Sequence, residues 1–291
     1  MSETNAQDCG FQKPLGLALS GGGALGSWQA GALSALEKKF ALSFDSIVCF
    51  SAGALNGAAF ALGLIDVAIE RWKNAGRKKI LQFSPRLSPL SIFSNQPIFD
   101  NADYALDEEK SKKILRSKLT VLSLSKDRQK RVERIFEPNG RWDGPLLPWL
   151  VASSSIPVIF PPVRLSHQGQ EGLFIDAGVS SPKPMSFKSL SGCKDVIVLE
   201  MIRPDEAARD PKGFLRKMDH QNRLEVRGFI DEGVRSLQEL SPAPRIFRLY
   251  PSRTLEFGML EFLSPLVPEA IELGQKDAEA FIKNPDQFLT S

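Results

Sequence analysis

The sequence predicts an α/β fold with a mostly parallel central sheet, and two observations carry that prediction. First, a segment of strand length at 15–19 is followed by helical spacing at 27–40, and a second such pair follows at 45–50 and 51–64. Strands that alternate with helices form parallel sheets through right-handed crossovers. Second, the segment "LGLAL" (15–19) is apolar without alternation, which is typical of a strand buried on both faces of a sheet.

The rest of the chain continues this alternation. Helical spacing recurs over 107–119, 146–157, 210–240 and 264–283. Strands are predicted over 119–125, 171–178, 194–202 and 244–252. Residues 66–100, which prolines interrupt, are predicted to be less regular. Because no repeat and no linker divides the chain, we expect a flexible N-terminal tail over 1–13 and a single domain over 14–291.

Composition narrows the class of protein. The 291 residues carry a net charge of +3, with 42% hydrophobic and 24% charged residues, which is typical of a globular protein and does not call for nucleic acid. Three cysteines form no C-x-x-C pair, so we expect no structural zinc, and no cofactor is implied. The N-terminus has no apolar core of a signal peptide, and Asn56 and Asp66 interrupt the longest apolar stretch. We therefore expect no transmembrane span and a cytoplasmic or membrane-peripheral location, with signal-independent export left open.

A glycine-rich loop follows the first predicted strand. Gly21, Gly23 and Gly26 match G-x-G-x-x-G, the spacing of dinucleotide-binding loops. That function needs an acidic residue at the end of the second strand, where this chain has Ser51. A phosphate-binding loop needs G-K-[ST], and here Trp28 stands where a lysine should reach phosphates. Dinucleotide binding, which added NAD or FAD would test by thermal stabilisation, therefore stays the least favoured of three interpretations, beside a tight strand-to-helix turn and a set of backbone amides that binds an oxyanion.

The next strand-to-helix turn, "CFSAG", favours the oxyanion interpretation. Ser51 lies where a nucleophilic serine stands in the G-x-S-x-G elbow, with Gly53 in the second glycine position and Cys49 in the first. A serine hydroxyl needs a base to become a nucleophile, and the attacked carbonyl needs N–H donors for its developing charge.

Two kinds of base are open. The order Ser51, Asp176, His220 matches an α/β-hydrolase triad, and His167 is a further histidine. Asp176 stands at the carboxyl end of a predicted apolar strand, where parallel sheets hold their sites, and Gly178 allows a sharp turn after it. Partial burial would raise the pKa of Asp176 and make it a better proton acceptor. We therefore favour Asp176 over either histidine.

These residues resemble those of the patatin-like phospholipases. The segments "LSGGGALGSWQAGAL", "CFSAGAL", "ASSSIPVIFPPV" (152–163) and "DAG" stand in the family's order, and the similarity extends from about residue 15 to 282. The resemblance implies a three-layer α/β/α fold and hydrolysis of ester bonds in phospholipids or other acyl lipids through an acyl-enzyme. It implies Ser51 as nucleophile, Asp176 as base without a histidine, and an oxyanion loop formed by Gly21, Gly22, Gly23 and Gly26.

Three positions depart from the family pattern. Leu25 stands where arginine or lysine is frequent, Cys49 replaces the first elbow glycine, and Ala177 replaces a glycine after the aspartate. None of them removes a reacting atom. They leave a second hypothesis, a catalytically weak relative that binds lipid or a protein partner.

Contact with a membrane or micelle is expected of a lipid hydrolase. The candidate surfaces are the apolar, proline-broken segment 80–93 and the segment 254–263, each of which could instead pack into the core. A basic stretch between Lys110 and Arg134 is a candidate for attracting anionic headgroups, or a solvated face.

Overall fold

The fold is organised around an eight-stranded sheet, in a computed structural model that describes residues 9–75 and 81–290. The strands are β1 (Leu15–Leu19), β2 (Ser46–Cys49), β3 (Gln82–Leu87), β4 (Leu90–Ser94), β5 (Lys118–Ser125), β6 (Lys130–Phe136), β7 (Val163–His167), β8 (Gln170–Asp176), β9 (Asp195–Leu199) and β10 (Arg245–Leu249). The helices are α1 (Gly26–Phe40), α2 (Ala52–Ala61), α3 (Ile65–Lys73), α4 (Gln96–Asn101), α5 (Glu108–Ile114), α6 (Leu146–Ser153), α7 (Phe214–Gln238) and α8 (Val267–Lys283).

The sheet runs in the order β10-β9-β1-β2-β5-β8-β7, and β6 pairs with β5. Strands β10, β9, β1, β2 and β5 are mutually parallel, and helices flank the sheet, so the predicted α/β fold with a mostly parallel sheet is confirmed. Strands β1 and β9 are buried along their whole length, as their bare apolar sequences predict.

Strand register brings two turns together. Leu19 at the end of β1 pairs with Cys49 at the end of β2. The glycine loop that follows β1 and the serine turn that follows β2 therefore leave the sheet at the same edge and the same level.

The antiparallel part of the sheet was not predicted. β8 runs antiparallel to β5, and β6 and β7 lie over residues for which no strand was expected. β6 alternates buried with exposed or half-buried positions, β7 alternates exposed with half-buried positions after the buried Val163, and charged residues such as Lys130, Glu133 and Arg164 interrupt their apolar pattern. Their apolar signal is therefore weak, although the alternation itself is that of half-solvated strands.

Several helix boundaries also differ from the prediction. The helix expected over 51–64 ends at Ala61, and the chain turns at Gly63 with a φ of 68° before α3 begins. Helix α5 is shorter than the predicted 107–119, and α6 ends before Pro157. The region expected to be less regular contains the β3–β4 hairpin, a separate two-stranded sheet.

The predicted N-terminal tail packs on the fold where the structure describes it; its residues 1–8 lie outside the described residues. Phe11 is buried, and its ring lies 5.1 Å from that of Phe247 and 5.7 Å from that of Phe281. The Gln12 N–H donates to Asp195 at 2.7 Å. The Phe11 side chain thus anchors residues 9–13, a segment whose polar composition had predicted a flexible tail.

No helix within residues 9–75 and 81–290 is long and apolar enough to cross a membrane.

Helices α1 and α8 pack at the closest approach that glycine allows. A Cβ at Gly31 would lie 2.0 Å from the carbonyl oxygen of Ile271, and a Cβ at Gly274 would lie 2.0 Å from that of Trp28. The Trp28 indole N–H donates to Asp277 of α8 at 2.8 Å across the same interface. Because α1 carries the glycine loop at its start, this contact also fixes the position of that loop.

We expect Gly274→Ala to lower the free energy of unfolding by about 1–3 kcal/mol, because a well-packed interface must separate to admit the methyl group. Urea denaturation measures the effect. Gly228→Ala on α7 is the matched control, since a Cβ there meets nothing within 4 Å. That exchange is expected to raise the free energy of unfolding by about 0.5–1 kcal/mol. Equal destabilisation in both variants would contradict the packing argument.

Candidate active site

Ser51 stands on a strained turn between β2 and α2. Its backbone has a φ of 56° and a ψ of −134°, a conformation that non-glycine residues seldom adopt. A Cβ on Gly53 would lie 2.4 Å from the carbonyl oxygen of Ser20 and 2.6 Å from that of Leu19. The turn thus lets the first turn of α2 pass directly over the end of β1, as the elbow motif requires.

Cys49 is accommodated in the position of the missing elbow glycine. Its thiol donates to the carbonyl oxygen of Thr120 on β5 at 3.5 Å. Room for the side chain comes from Gly57 of α2, where a Cβ would lie 3.3 Å from the Cys49 Cβ. Burial raises the pKa of the Cys49 thiol, so it stays protonated. The substitution keeps the elbow geometry because the opposite helix carries glycine.

Asp176 is buried beside Ser51, whose hydroxyl favours the ionised carboxylate. The backbone N–H of Gly178 donates to Asp176 Oδ1 at 2.7 Å. Burial raises the pKa of Asp176 to about 6, although the Ser51 hydroxyl, the Gly178 hydrogen bond and the charge of Arg131 favour the carboxylate. The group is therefore a stronger base than an exposed aspartate and is still largely ionised at neutral pH.

Asp176 reaches this place by a route that differs from the prediction. It was expected at the carboxyl end of a parallel strand, but β8 is antiparallel to β5. The register pairs Asp176 with Ser123, two residues beyond the Val121 that pairs with Cys49. Antiparallel register, rather than a shared strand direction, puts the carboxylate level with the serine turn.

Three consecutive serines, which begin at the last residue of α6, connect Ser51 and Asp176, and no function was predicted for them from the sequence. The Ser51 N–H donates to the Ser153 carbonyl at 3.1 Å and to its hydroxyl at 3.0 Å. The Ser154 hydroxyl donates to the Ser51 carbonyl at 3.1 Å. The Asp176 N–H donates to the Ser155 carbonyl at 3.0 Å. This serine bridge, residues 153–155, thus holds both backbones; the only sequence signal for it was its similarity to a family segment.

The glycine loop lies against Ser51. A Cβ on Gly21 would lie 2.8 Å from the Ser51 Cβ. Among the described residues, no protein acceptor is found for the backbone N–H groups of Gly21, Gly22 and Gly23. The Ser51 N–H, by contrast, is already bonded to Ser153. The glycine loop therefore supplies available backbone donors beside the serine.

Gly23 and Gly26 have packing functions within this loop. A Cβ on Gly23, whose φ is 57°, would lie 2.1 Å from the Met259 carbonyl oxygen, which accepts the Ala24 N–H at 2.7 Å. The Gly26 N–H bonds back to Gly23, so Gly26 is not the oxyanion donor that was predicted. Its lack of a Cβ instead allows close packing at 3.0 Å from the Ala52 Cβ.

The two histidines lie elsewhere. His167 Nδ1 is 2.6 Å from Arg134, and burial together with this cation lowers the pKa of His167. His220 is 3.5 Å from the buried carboxylate of Glu206 and lines a separate polar cavity on α7. The structure therefore does not bring a histidine to Ser51, and the triad order read from the sequence is not assembled.

An apolar cavity opens at Ser51. Its wall is formed by side chains from α2, α3, α4, the segment after α6 and the segment before α8, among them Leu55, Trp72, Ile98, Ile156, Phe160 and Phe262. Such a cavity fits a hydrocarbon chain whose polar end is at Ser51.

The basic stretch is not a uniform surface. On β6, Arg131 donates to the carbonyl oxygens of Ala177 and Val179, both at 2.9 Å, and also to that of Lys183. Arg134 is buried on the Trp149 ring. These two arginines, which were predicted as candidates for binding headgroups, hold protein groups instead. Arg131 thereby fixes the loop that follows Asp176, including Ala177.

No group of three or more acidic, histidine or cysteine side chains that could hold a metal ion occurs within residues 9–75 and 81–290.

Comparison with known proteins identifies the family. The model of the patatin-like phospholipase family matches residues 17–186, more than half of the chain. No curated protein matches significantly. Among solved structures, VipD from Legionella pneumophila matches with a TM-score of 0.45 and 12% identity over 96% of this chain and 68% of VipD. The ExoU–SpcU complex of the Pseudomonas aeruginosa type III secretion system matches with a TM-score of 0.43 and 16% identity, over 96% of this chain and 53% of the other.

The buried carboxylate gives a prediction for stability. Because the pKa of Asp176 is raised in the folded protein, from 3.8 to about 6, the wild type loses stability as the pH rises between these values. Asp176→Asn removes this loss. The gain in free energy of unfolding of the variant over wild type is expected to be about 2–3 kcal/mol larger at pH 7 than at pH 4. Urea denaturation at both pH values measures it, with the exposed exchange Asp210→Asn as control. A gain that does not change with pH would contradict the raised pKa.

Proposed function

We propose that this chain, which belongs to the patatin-like phospholipase family, hydrolyses carboxylic esters of phospholipids or other acyl lipids with Ser51 and Asp176 as its catalytic pair. At the level of the family the protein is a lipid hydrolase. The observation that supports the finer proposal is the placement of the Ser51 hydroxyl, which lines an apolar cavity, beside the buried Asp176 carboxylate, whose ionised form it favours.

In the first step Asp176 acts as the general base. The Ser51 hydroxyl donates its proton to the carboxylate as Oγ attacks the ester carbonyl. A pKa of about 6 keeps the Asp176 carboxylate largely ionised at neutral pH. It also brings the pKa of the base closer to the operating pH, where general-base catalysis is most efficient. Gly178 and Arg131 stabilise the ionised form before attack and keep the carboxylate in place.

The negative charge that develops on the carbonyl oxygen is stabilised by the glycine loop. The amides of Gly21, Gly22 and Gly23 carry no other acceptor and stand beside the serine, at the start of a helical segment whose dipole also favours an anion. Close packing of Gly23 on Met259 and of α1 on α8 holds these donors in position before substrate arrives.

Three further proton transfers complete the cycle. The tetrahedral intermediate collapses as Asp176 returns its proton to the leaving alkoxide, which leaves the acyl group on Ser51. A water molecule then gives its proton to Asp176 and attacks the acyl carbon, and the carboxylic acid departs as Ser51 recovers its proton.

The substrate proposal follows from the cavity. Leu55, Ile98, Phe160 and Phe262 provide a hydrocarbon environment for an acyl chain, whereas few polar groups near Ser51 would recognise a sugar or a peptide. We propose that the enzyme acts where such chains are found, at a membrane or micelle surface.

Ester hydrolysis by single-site variants tests the proposal. With a p-nitrophenyl ester series and a phospholipid as substrates, Ser51→Ala and Asp176→Asn are each expected to lower kcat/KM by about 10³-fold or more. His167→Ala and His220→Ala are the matched controls and are expected to keep activity, because neither side chain lies at Ser51.

Loss of activity with His220→Ala and retention with Asp176→Asn would contradict the catalytic pair. A wild-type protein that hydrolyses none of these esters would favour the second hypothesis, a catalytically weak relative that binds lipid or a partner protein.

A further inference from the structure

The β3–β4 hairpin exposes an unusual amount of apolar surface. Phe83, Leu87 and Leu90 are 72%, 94% and 57% exposed, and Ile92 is 36% exposed. Leu87 pairs with Leu90 and shares the face of Ile92, whereas Phe83 pairs with Phe93 on the other face. Large apolar side chains exposed side by side indicate a contact surface, since isolated ones need no explanation. We call the side chains of Leu87, Leu90, Ile92 and the neighbouring Val158 the apolar hairpin surface.

The base of the hairpin is part of the cavity wall. The Ile92 and Phe93 N–H groups donate to the carbonyl oxygens of Val158 and Ile159, both at 2.9 Å. These pairs tie β4 to the segment that supplies Ile156 and Phe160 to the cavity at Ser51. On the other side, the chain leaves β4 and within a few residues reaches Pro97 and Ile98, which also line the cavity.

Val158 is held outward at this junction. It adopts a φ of 70° and is 47% exposed. A β-branched residue seldom takes this backbone conformation, so the surrounding hydrogen bonds must maintain it. The result is an apolar side chain presented to solvent between the hairpin and the cavity wall.

Charge distinguishes the possible occupants of this surface. Arg86 is the only charged residue between Leu81 and Phe99. The hairpin also adjoins the wall of an apolar cavity that fits a hydrocarbon chain, which favours a lipid layer as the occupant because such a layer requires only apolar area. The guanidinium on its aliphatic stem would remain among phosphate groups while the leucines enter the acyl region.

We propose that the apolar hairpin surface inserts into the lipid layer and thereby places the acyl cavity at the layer, so that a chain passes to Ser51 without crossing water. This inference rests on the proposed function for its substrate, but membrane binding can be measured without catalysis. The segment 254–263, the other predicted surface, buries Leu255, Phe257 and Met259, and Leu263 at its end is 62% exposed.

Vesicle binding tests the inference. Binding to phosphatidylcholine vesicles is measured by co-sedimentation on a Ser51→Ala background, so that hydrolysis cannot alter the vesicles. The double exchange L87D/L90D is expected to lower the partition coefficient at least about tenfold, because two apolar side chains no longer enter the lipid. The matched control is F214D/L215D at the start of α7, where the two side chains are 79% and 71% exposed, and it is expected to bind as before.

A second arm restores Ser51 and compares two substrates. L87D/L90D is expected to lose vesicle hydrolysis in parallel with binding and to keep hydrolysis of a monomeric p-nitrophenyl ester, which also shows that the variant is folded. If the wild type hydrolyses no ester, the proposed function fails while the binding arm still decides the inference.

Three outcomes would overturn it. The first is vesicle binding by L87D/L90D equal to that of its parent. The second is an equal or larger loss in the α7 control, which would assign the contact to another surface. The third is a dimer in sedimentation equilibrium that L87D/L90D converts to monomer without any change in vesicle binding, which would make a second copy of the chain the occupant.

Discussion

The interaction between the Ser51 hydroxyl and the buried Asp176 carboxylate is the one around which the site is arranged. An ionised carboxylate in an apolar interior is unfavourable unless donors surround it, and this one has the Ser51 hydroxyl, the Gly178 amide and the charge of Arg131. The effect of burial on the pKa of Asp176 is larger than the opposing effect of these groups, so the pKa remains raised to about 6. A fold that places a base in this state holds a group suited to proton transfer at neutral pH.

Geometry around this pair is maintained by backbone contacts rather than by large side chains. Ser51 keeps its strained conformation because Ser153 and Ser154 bond both its N–H and its carbonyl group. The glycine loop keeps its amides beside the serine because Gly23 and Gly53 fit against carbonyl groups of other segments. Contacts with β1, α6 and the chain before α8 thus hold the turn and the glycine loop in place. Pre-organised donors of this kind need no rearrangement when charge develops.

The sequence was sufficient to predict the buried strands of the sheet. β1, β2 and β9 are nearly continuous apolar segments, and their burial on both faces makes that signal strong. Ser51 was identified because it stands at a strand-to-helix turn between the positions that small residues occupy in the nucleophile elbow, where the two backbones come close together. Asp176 was chosen on the assumption of a parallel strand, and it lies at the site through antiparallel pairing with β5. Nothing local in "GLFIDAG" distinguishes those two directions.

Other residues could not be recognised locally, because their functions depend on partners far away in the chain. The serine bridge acts through hydrogen bonds to residues about a hundred positions before it and about twenty after it, and β6 places Arg131 under the loop after Asp176. Phe11 anchors a segment whose composition is otherwise that of a tail. Gly26 matched a spacing motif, yet its N–H bonds within the loop and its missing side chain serves helix packing.

Covalent trapping of the nucleophile tests the central claim most directly. A fluorophosphonate reagent should form one phosphonyl ester, with loss of fluoride, on the tryptic peptide that contains Ser51. The labelling rate should rise with pH around an apparent pKa of about 6, that of Asp176, and this limb should vanish in Asp176→Asn. An adduct on a different residue, or a Ser51 adduct whose pH dependence persists without Asp176, would contradict the account.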